Sequence, residues 1–151
     1  MECRAETELA YLAGFFDADG SIAILRNYNK KTGQLYYQLL LSLVAKKPKV
    51  CYTFQHHFGG TVNFDRRRGG RSPQQVYPHW HIRGDGAKNC LYAIMPYLRL
   101  KYAEAVVALA FREHKERWWA INGKGCRLTD EEQVWRERAY QLLKDIKQKR
   151  I

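Results

Sequence analysis

The strongest constraint on this chain is an order of periodicities that occurs twice: helical spacing followed by two alternating runs. Leu9, Leu12, Phe15 and Phe16 keep the three-and-four spacing of a helix. The run Ser21 to Tyr28 then carries Ile22 and Ile24 on alternate positions, and Asn29-Lys30-Lys31-Thr32-Gly33 supplies a turn. From Leu35 to Ala45, Leu39, Leu41 and Leu43 alternate with Tyr36, Gln38, Leu40 and Ser42, the pattern of a hairpin with one buried face. Pro48 suits the first position of a second helix through Val50, Cys51, Phe54 and Phe58, which Gly59-Gly60 ends. Two more strands follow, near Thr61 to Arg66 and Gln74 to Arg83. In the second of these, Trp80 and Ile82 alternate with Tyr77, His79 and His81.

Beyond the repeat the pattern is helical. Asp85 or Gly86 opens a helix through Leu91, Ile94 and Met95 that Pro96 stops, and Lys101 to about Trp119 reads as a longer amphipathic one. After a glycine-containing loop, Thr129 with Glu132 three residues on predicts a capping box for a last helix to about Lys149. No low-complexity linker divides the 151 residues, whose 46% hydrophobic and 13% aromatic content argues against disorder. The expectation is a single α+β domain over residues 1–151, an αββαββα core with additional C-terminal helices.

Charge narrows the partners. Twenty-six Lys and Arg against fifteen Asp and Glu leave +11, a balance suited to a polyanion, with nucleic acid favoured over membrane. No apolar run approaches the length of a membrane span, and the opening MECRAETE is acidic where a secretory signal would be basic and then apolar. A soluble, intracellular protein is expected. Cys3, Cys51, Cys90 and Cys126 lack the paired spacing of a zinc ribbon or finger and read as reduced thiols, Cys51 and Cys90 buried. A disulfide among them would instead suit a hyperthermophilic source.

The chemistry concentrates in Leu12 to Gly20, LAGFFDADG. Gly20 offers the left-handed backbone that ends a helix, so Asp17 and Asp19 fall in or just past its last turn. That end carries partial negative charge and repels each anion by up to about 1 kcal/mol, so something must compensate, and a divalent cation would do so. Ala10, Ala13, Gly14 and Ala18 are small enough for a second helix to approach closely. Such contact is the usual reason to accept a mid-helix glycine, which costs about 1 kcal/mol relative to alanine.

The nonapeptide with Ser21-Ile22 resembles the signature of the LAGLIDADG homing endonucleases. The likeness extends from about Glu8 to about Arg117 and includes PYLRLK at Pro96 to Lys101. It implies a double-strand DNA endonuclease, promoting intron mobility, that hydrolyses phosphodiester bonds with Mg2+. Mn2+ would substitute, and Ca2+ would bind without supporting efficient cleavage. By resemblance Asp19 and the carbonyl of Ala18 hold metal, Lys101 lies near the scissile phosphate, and Asp17 caps or bonds across a helix pair. Relatives carry a glutamine before the second helix. Here Val44-Ala45-Lys46-Lys47-Pro48-Lys49 has none, leaving Ala45 or Lys46 at that place and Lys49 as the second basic active-site candidate.

The same resemblance implies an antiparallel sheet forming a saddle over DNA. The major groove admits such ribbons, and basic side chains bind phosphate. Expected DNA-facing residues are Ser21, Arg26, Asn27, Asn29, Lys30, Lys31, Gln34, Tyr36, Gln38, Leu40 and Ser42 from the first hairpin. From the second they are Arg66, Arg67, Arg68, Arg71, Gln75, Tyr77, His79 and His81. His79 and His81 share a strand face but have no evident third metal ligand. With one motif per chain, a C2 homodimer is expected, packed through Ala10, Ala13, Gly14 and Asp17, on a pseudo-palindrome of about two helical turns. Two other functions suit the same fold: an RNA-binding intron maturase and a regulator that binds DNA without cutting.

Overall fold

The computed structural model describes residues 2–66 and 76–149 and shows why the repeat folds into one sheet backed by helices. The order is α1 (Glu2–Asp19), β1 (Gly20–Asn29), β2 (Gln34–Val44), α2 (Pro48–Phe58), β3 (Thr61–Arg66), β4 (Val76–Arg83), α3 (Gly84–Ile94), α4 (Tyr102–Asn122) and α5 (Asp130–Lys149), with a 3-10 turn at Met95–Tyr97 between α3 and α4. The α+β class and doubled helix-strand-strand unit are as expected. The turn residues Arg67, Arg68 and Arg71, with Gln74 and Gln75, lie outside the described residues.

All strand pairs are antiparallel in the order β1-β2-β4-β3, so the two repeats meet along β2 and β4. Leu41 opposes Ile22 on one side and Ile82 on the other, and Trp80 opposes Leu43 and Val62. This row faces the helices. Ile22, Leu39, Leu41 and Trp80 are fully buried there with Leu12 and Phe16 of α1, Phe54 of α2, Leu91 and Ile94 of α3 and Phe111 of α4. Burying each such side chain is worth about 1.5–3 kcal/mol. Trp80 anchors the second repeat: its ring lies 5.0 Å from Phe54, and its Nε1 donates to the Gly59 carbonyl at 2.9 Å.

Two local expectations change in mechanism. Gly20 does not adopt positive φ; it is required because a Cβ there would lie 2.3 Å from the Phe16 ring, which folds back over the helix-strand junction. At α5 the Glu132 amide donates to Thr129 Oγ1 at 3.2 Å, but the Glu132 carboxylate turns inward to Arg136 at 2.8 Å and His114 at 2.9 Å. Only half of the capping box forms, because a buried guanidinium competes more strongly for the carboxylate than an exposed amide does. Cys51 and Cys90 are buried thiols, and among the described residues Cys126 is also free.

Candidate active site and nucleic-acid interface

The tip of α1 gives its two acids opposite fates. Asp17 is 8% exposed. Its Oδ2 accepts the Arg99 amide at 2.8 Å and the Leu100 amide at 3.0 Å, and its Oδ1 accepts the Lys101 amide at 2.9 Å. Burial pushes its pKa up. The amides of Leu100, Arg99 and Lys101, together with the Lys101 charge, more than reverse this and hold the carboxyl below its ordinary value. Asp17 therefore clamps the segment before α4 onto α1.

Lys101 completes the clamp. Its ammonium donates to the Asp17 main-chain carbonyl, and the residue is 3% exposed. A cation on an unpaired carbonyl offsets the partial negative charge of a helix C-terminus. The compensation that the sequence demanded thus comes from Lys101 and three amides. The Lys101 ammonium thus sits beneath the tip of α1, within the motif it was expected to serve.

Asp19, the last residue of α1, is exposed. It lines an open cleft of about 500 Å³ with Phe15, Ala45, Lys46, Lys47 and Tyr77. Both candidates for the place of the missing glutamine, Ala45 and Lys46, border this cleft. Lys49 does not: as the second residue of α2 it is exposed outside the lining, whereas Lys46 and Lys47 border the cleft.

The outward face of α1 carries the small residues. Ala10 and Gly14 are exposed, and a Cβ built on Gly14 meets nothing within 4 Å, so no neighbour within the chain requires glycine there. Ala10, Gly14 and Asp17 border a groove of about 380 Å³ with Pro96, Tyr97 and Arg99. Ala13 is a correction to the expected outward set. It is fully buried in the chain's own core beside Leu12 and Phe16, since it lies on the inner edge of the helix.

The sheet face away from the helices is ordered in rows by its register. Ser21, Ser42, His81 and Thr61 form one row, Val44, His79 and Asn63 another, and Asn27 opposes Tyr36. Gln38, Leu40, Tyr77, His79 and His81 are half-buried on it, and Tyr36 is exposed. The His79 and His81 rings lie 5.4 Å apart. Among the described residues no three His, Cys, Asp or Glu side chains converge to hold a metal. Lys30 and Lys31 are exposed at the β1–β2 turn, where Asn29 Oδ1 accepts the Lys31 amide at 2.9 Å.

Two residues expected on this face bond instead to the helices and the loop between them. Arg26 opposes Tyr37 on the helix side, pairs with Glu137 of α5 at 2.6 Å and lies over the Tyr140 ring. The even-numbered β1 residues share the buried side with Ile22 and Ile24, so alternation itself excludes Arg26 from the outer face. Gln34 is 8% exposed and closes on the main chain of Leu128, donating and accepting at 2.9 Å, which ties the hairpin to the α4–α5 loop. Ser21 keeps the outer register, its Oγ accepting from Lys147 at 3.2 Å. Conversely, Thr61, Asn63 and Arg83 are in phase with His79 and His81 and were missed, although period-two spacing continued one step reaches Arg83.

With this geometry in place, the chain is assigned by its matches. Residues 12–103 match the LAGLIDADG endonuclease family model, and the chain belongs to that family. No curated protein matches it. Among solved structures it is similar to the homing endonuclease I-CvuI in complex with its target in the presence of 2 mM Ca, at 20% identity and TM-score 0.63, covering 95% of this chain and 97% of that one. It is similar also to the homing endonuclease I-TnaI, at 18% identity and TM-score 0.63 over 95% and 97% of the chains. The archaeal intron-encoded I-Vdi141I complexed with DNA matches at 14% identity and TM-score 0.60 over 94% and 98%. At these identities the likeness establishes the fold. Among the described residues no helix is long and apolar enough to cross a membrane.

Proposed function

We propose that this chain is a sequence-specific double-strand DNA endonuclease that acts as a C2 homodimer and hydrolyses phosphodiester bonds with divalent metal ions. The observation that carries the reading is the division of labour at α1: Asp17 is consumed by three amides while Asp19 stands exposed at the cleft. Each chain offers one carboxylate and the neighbouring Ala18 carbonyl. Two copies paired through the Ala10–Gly14 face bring two such sets together, and hard oxygen donors of this kind suit Mg2+. When bound, such an ion polarises the phosphate and lowers the pKa of water.

The chain's own residues supply the rest. Lys46 and Lys47 place positive charge beside Asp19, where a phosphodiester would enter. Lys101 and Asp17 fix the tip so that Asp19 does not reorient, and Lys30, Lys31 and Arg83 hold the duplex backbone against the outer face. Tyr36, Gln38, Ser42, Tyr77, His79 and His81 then meet base edges in the major groove, one half-site per subunit. A mobile intron is the setting that suits such an enzyme, and several structural neighbours are homing endonucleases in complex with DNA.

The test is Asp19→Asn assayed for duplex binding and for cleavage at saturating Mg2+. Binding within about threefold of wild type with cleavage lost is expected; full cleavage by the variant would overturn the role of Asp19.

A further inference from the structure

A second cleft, of about 250 Å³, lies at the foot of the β1–β2 hairpin and is lined by cations that the nuclease reading leaves unused. Lys115 and Trp119 of α4, Arg136 of α5, Gln34 and Tyr36 of β2 and Cys126 of the α4–α5 loop border it. Lys115 is 8% exposed, and its ammonium donates to the Tyr37 carbonyl, which leaves further donor capacity on a group with three protons. Its other close neighbours are aromatic, the ring of Trp119 at 4.8 Å and that of Phe111 at 5.7 Å. Arg136 is 2% exposed; its Nε pairs with Glu132, but its Nη2 is sealed from solvent without a hydrogen bond.

The local charge is unbalanced. Arg112 has Asp85 and Glu116, and Arg136 has Glu132, which also binds His114. Among the described residues no ion pair is made by Lys115 or by Lys124, whose ammonium lies over the Trp119 ring at 5.0 Å. Burial, with Arg136, Arg112 and Lys124 nearby, pushes the Lys115 pKa down to about 8. A buried cation without a counter-charge and a sealed guanidinium nitrogen without an acceptor both carry a cost that an entering anion would relieve. Guanidinium and ammonium together suit an oxyanion, whose several oxygens accept from both at once.

We propose that this cleft is a binding site for a tetrahedral oxyanion, the chemistry of a phosphate group, held by Lys115 and Arg136. The bound anion would bridge the hairpin, through Gln34 and Tyr36, to α4 and α5. The phosphate is either free in solution or part of a nucleic-acid backbone running past the hairpin turn.

Inorganic sulfate is the probe, because it keeps its charge between pH 7 and 9.5 and mimics phosphate. Calorimetric titration at constant ionic strength, with chloride as the balancing salt, separates site binding from general salt stabilisation of the fold. One saturable site per chain is expected, weakened about tenfold or more in Lys115→Met, as loss of a charged hydrogen bond implies. Circular dichroism checks that the variant is folded.

Affinity should also fall as pH rises through about 8, where Lys115 loses its proton. The charged groups acting on it are Arg112 on its own helix, Arg136 on α5 and Lys124 on the loop, all of them cationic. Cys126 lines the cleft, so the profile is read in a Cys126→Ser background that removes its thiol. This profile remains decisive if Lys115→Met does not fold. Absence of saturable sulfate binding, equal binding by folded Lys115→Met, or affinity independent of pH would each overturn the site. A random-sequence duplex then distinguishes the sources: displacement of sulfate assigns the site to a backbone phosphate, and binding of both together assigns it to a free anion.

Discussion

Replacing Asp17 by Asn tests the most specific structural claim about the motif, that its first acid is a clamp within the fold. The carboxylate receives amides from Arg99, Leu100 and Lys101, with contacts of 2.8 to 3.1 Å. Asn retains one acceptor oxygen but turns an NH2 group toward an amide that needs an acceptor, and it removes the negative charge. Hydrogen bonds to a charged group contribute about 1.5–3 kcal/mol each, and a stranded buried donor costs about 1–3 kcal/mol, so a loss of about 2–4 kcal/mol is expected. For a chain of this size that lowers Tm by about 4–16 °C. Asp19→Asn, at an exposed residue, should stay within about 0.5 kcal/mol of wild type. Denaturant melts of both variants at one protein concentration make the comparison, with amide exchange at Arg99 to Lys101 as the local readout. Equal stability of Asp17→Asn and wild type would refute the clamp.

The remaining predictions concern pH, packing and pairing. Because the folded carboxyl of Asp17 lies below its ordinary value, its contribution is fully present above the unfolded carboxylate pKa of about 3.9 and is lost as pH falls through the lower folded value. Acid unfolding of wild type should therefore show a component that Asp17→Asn lacks. Gly20→Ala should lose about 1–3 kcal/mol through overpacking against Phe16, and stability recovered in a Phe16→Leu background would confirm the cause. Gly14→Leu should shift sedimentation from dimer to monomer with the circular dichroism spectrum of the fold retained, since a Cβ at Gly14 meets nothing in its own subunit within 4 Å. A folded Gly14→Leu dimer would place the interface elsewhere.

The architecture was readable because two different periods alternate without ambiguity, and because Gly59-Gly60 and Pro96 mark where elements stop. The place of Asp19 at the end of the first helix was readable through the motif, and the burial of Cys51 and Cys90 through their apolar surroundings. The errors share a cause: they depend on partners far away in sequence. Gln34 looked like a base reader until Leu128 closed on it, and the bond from the Lys101 ammonium to the Asp17 carbonyl joins residues 84 apart. Arg26 is different, because its parity with Ile22 and Ile24 already placed it on the inner face. Lys46 and Lys47 were visible as charges, but only the fold decides that they, and not Lys49, border the Asp19 cleft.

The most direct test of the central claim is incubation of the purified protein with a randomised duplex library in Mg2+, followed by sequencing of the ends produced. The account predicts Mg2+-dependent double-strand cuts within one long pseudo-palindrome, abolished by Asp19→Asn. Binding to the library without any cut, or cuts that persist in Asp19→Asn, would contradict it.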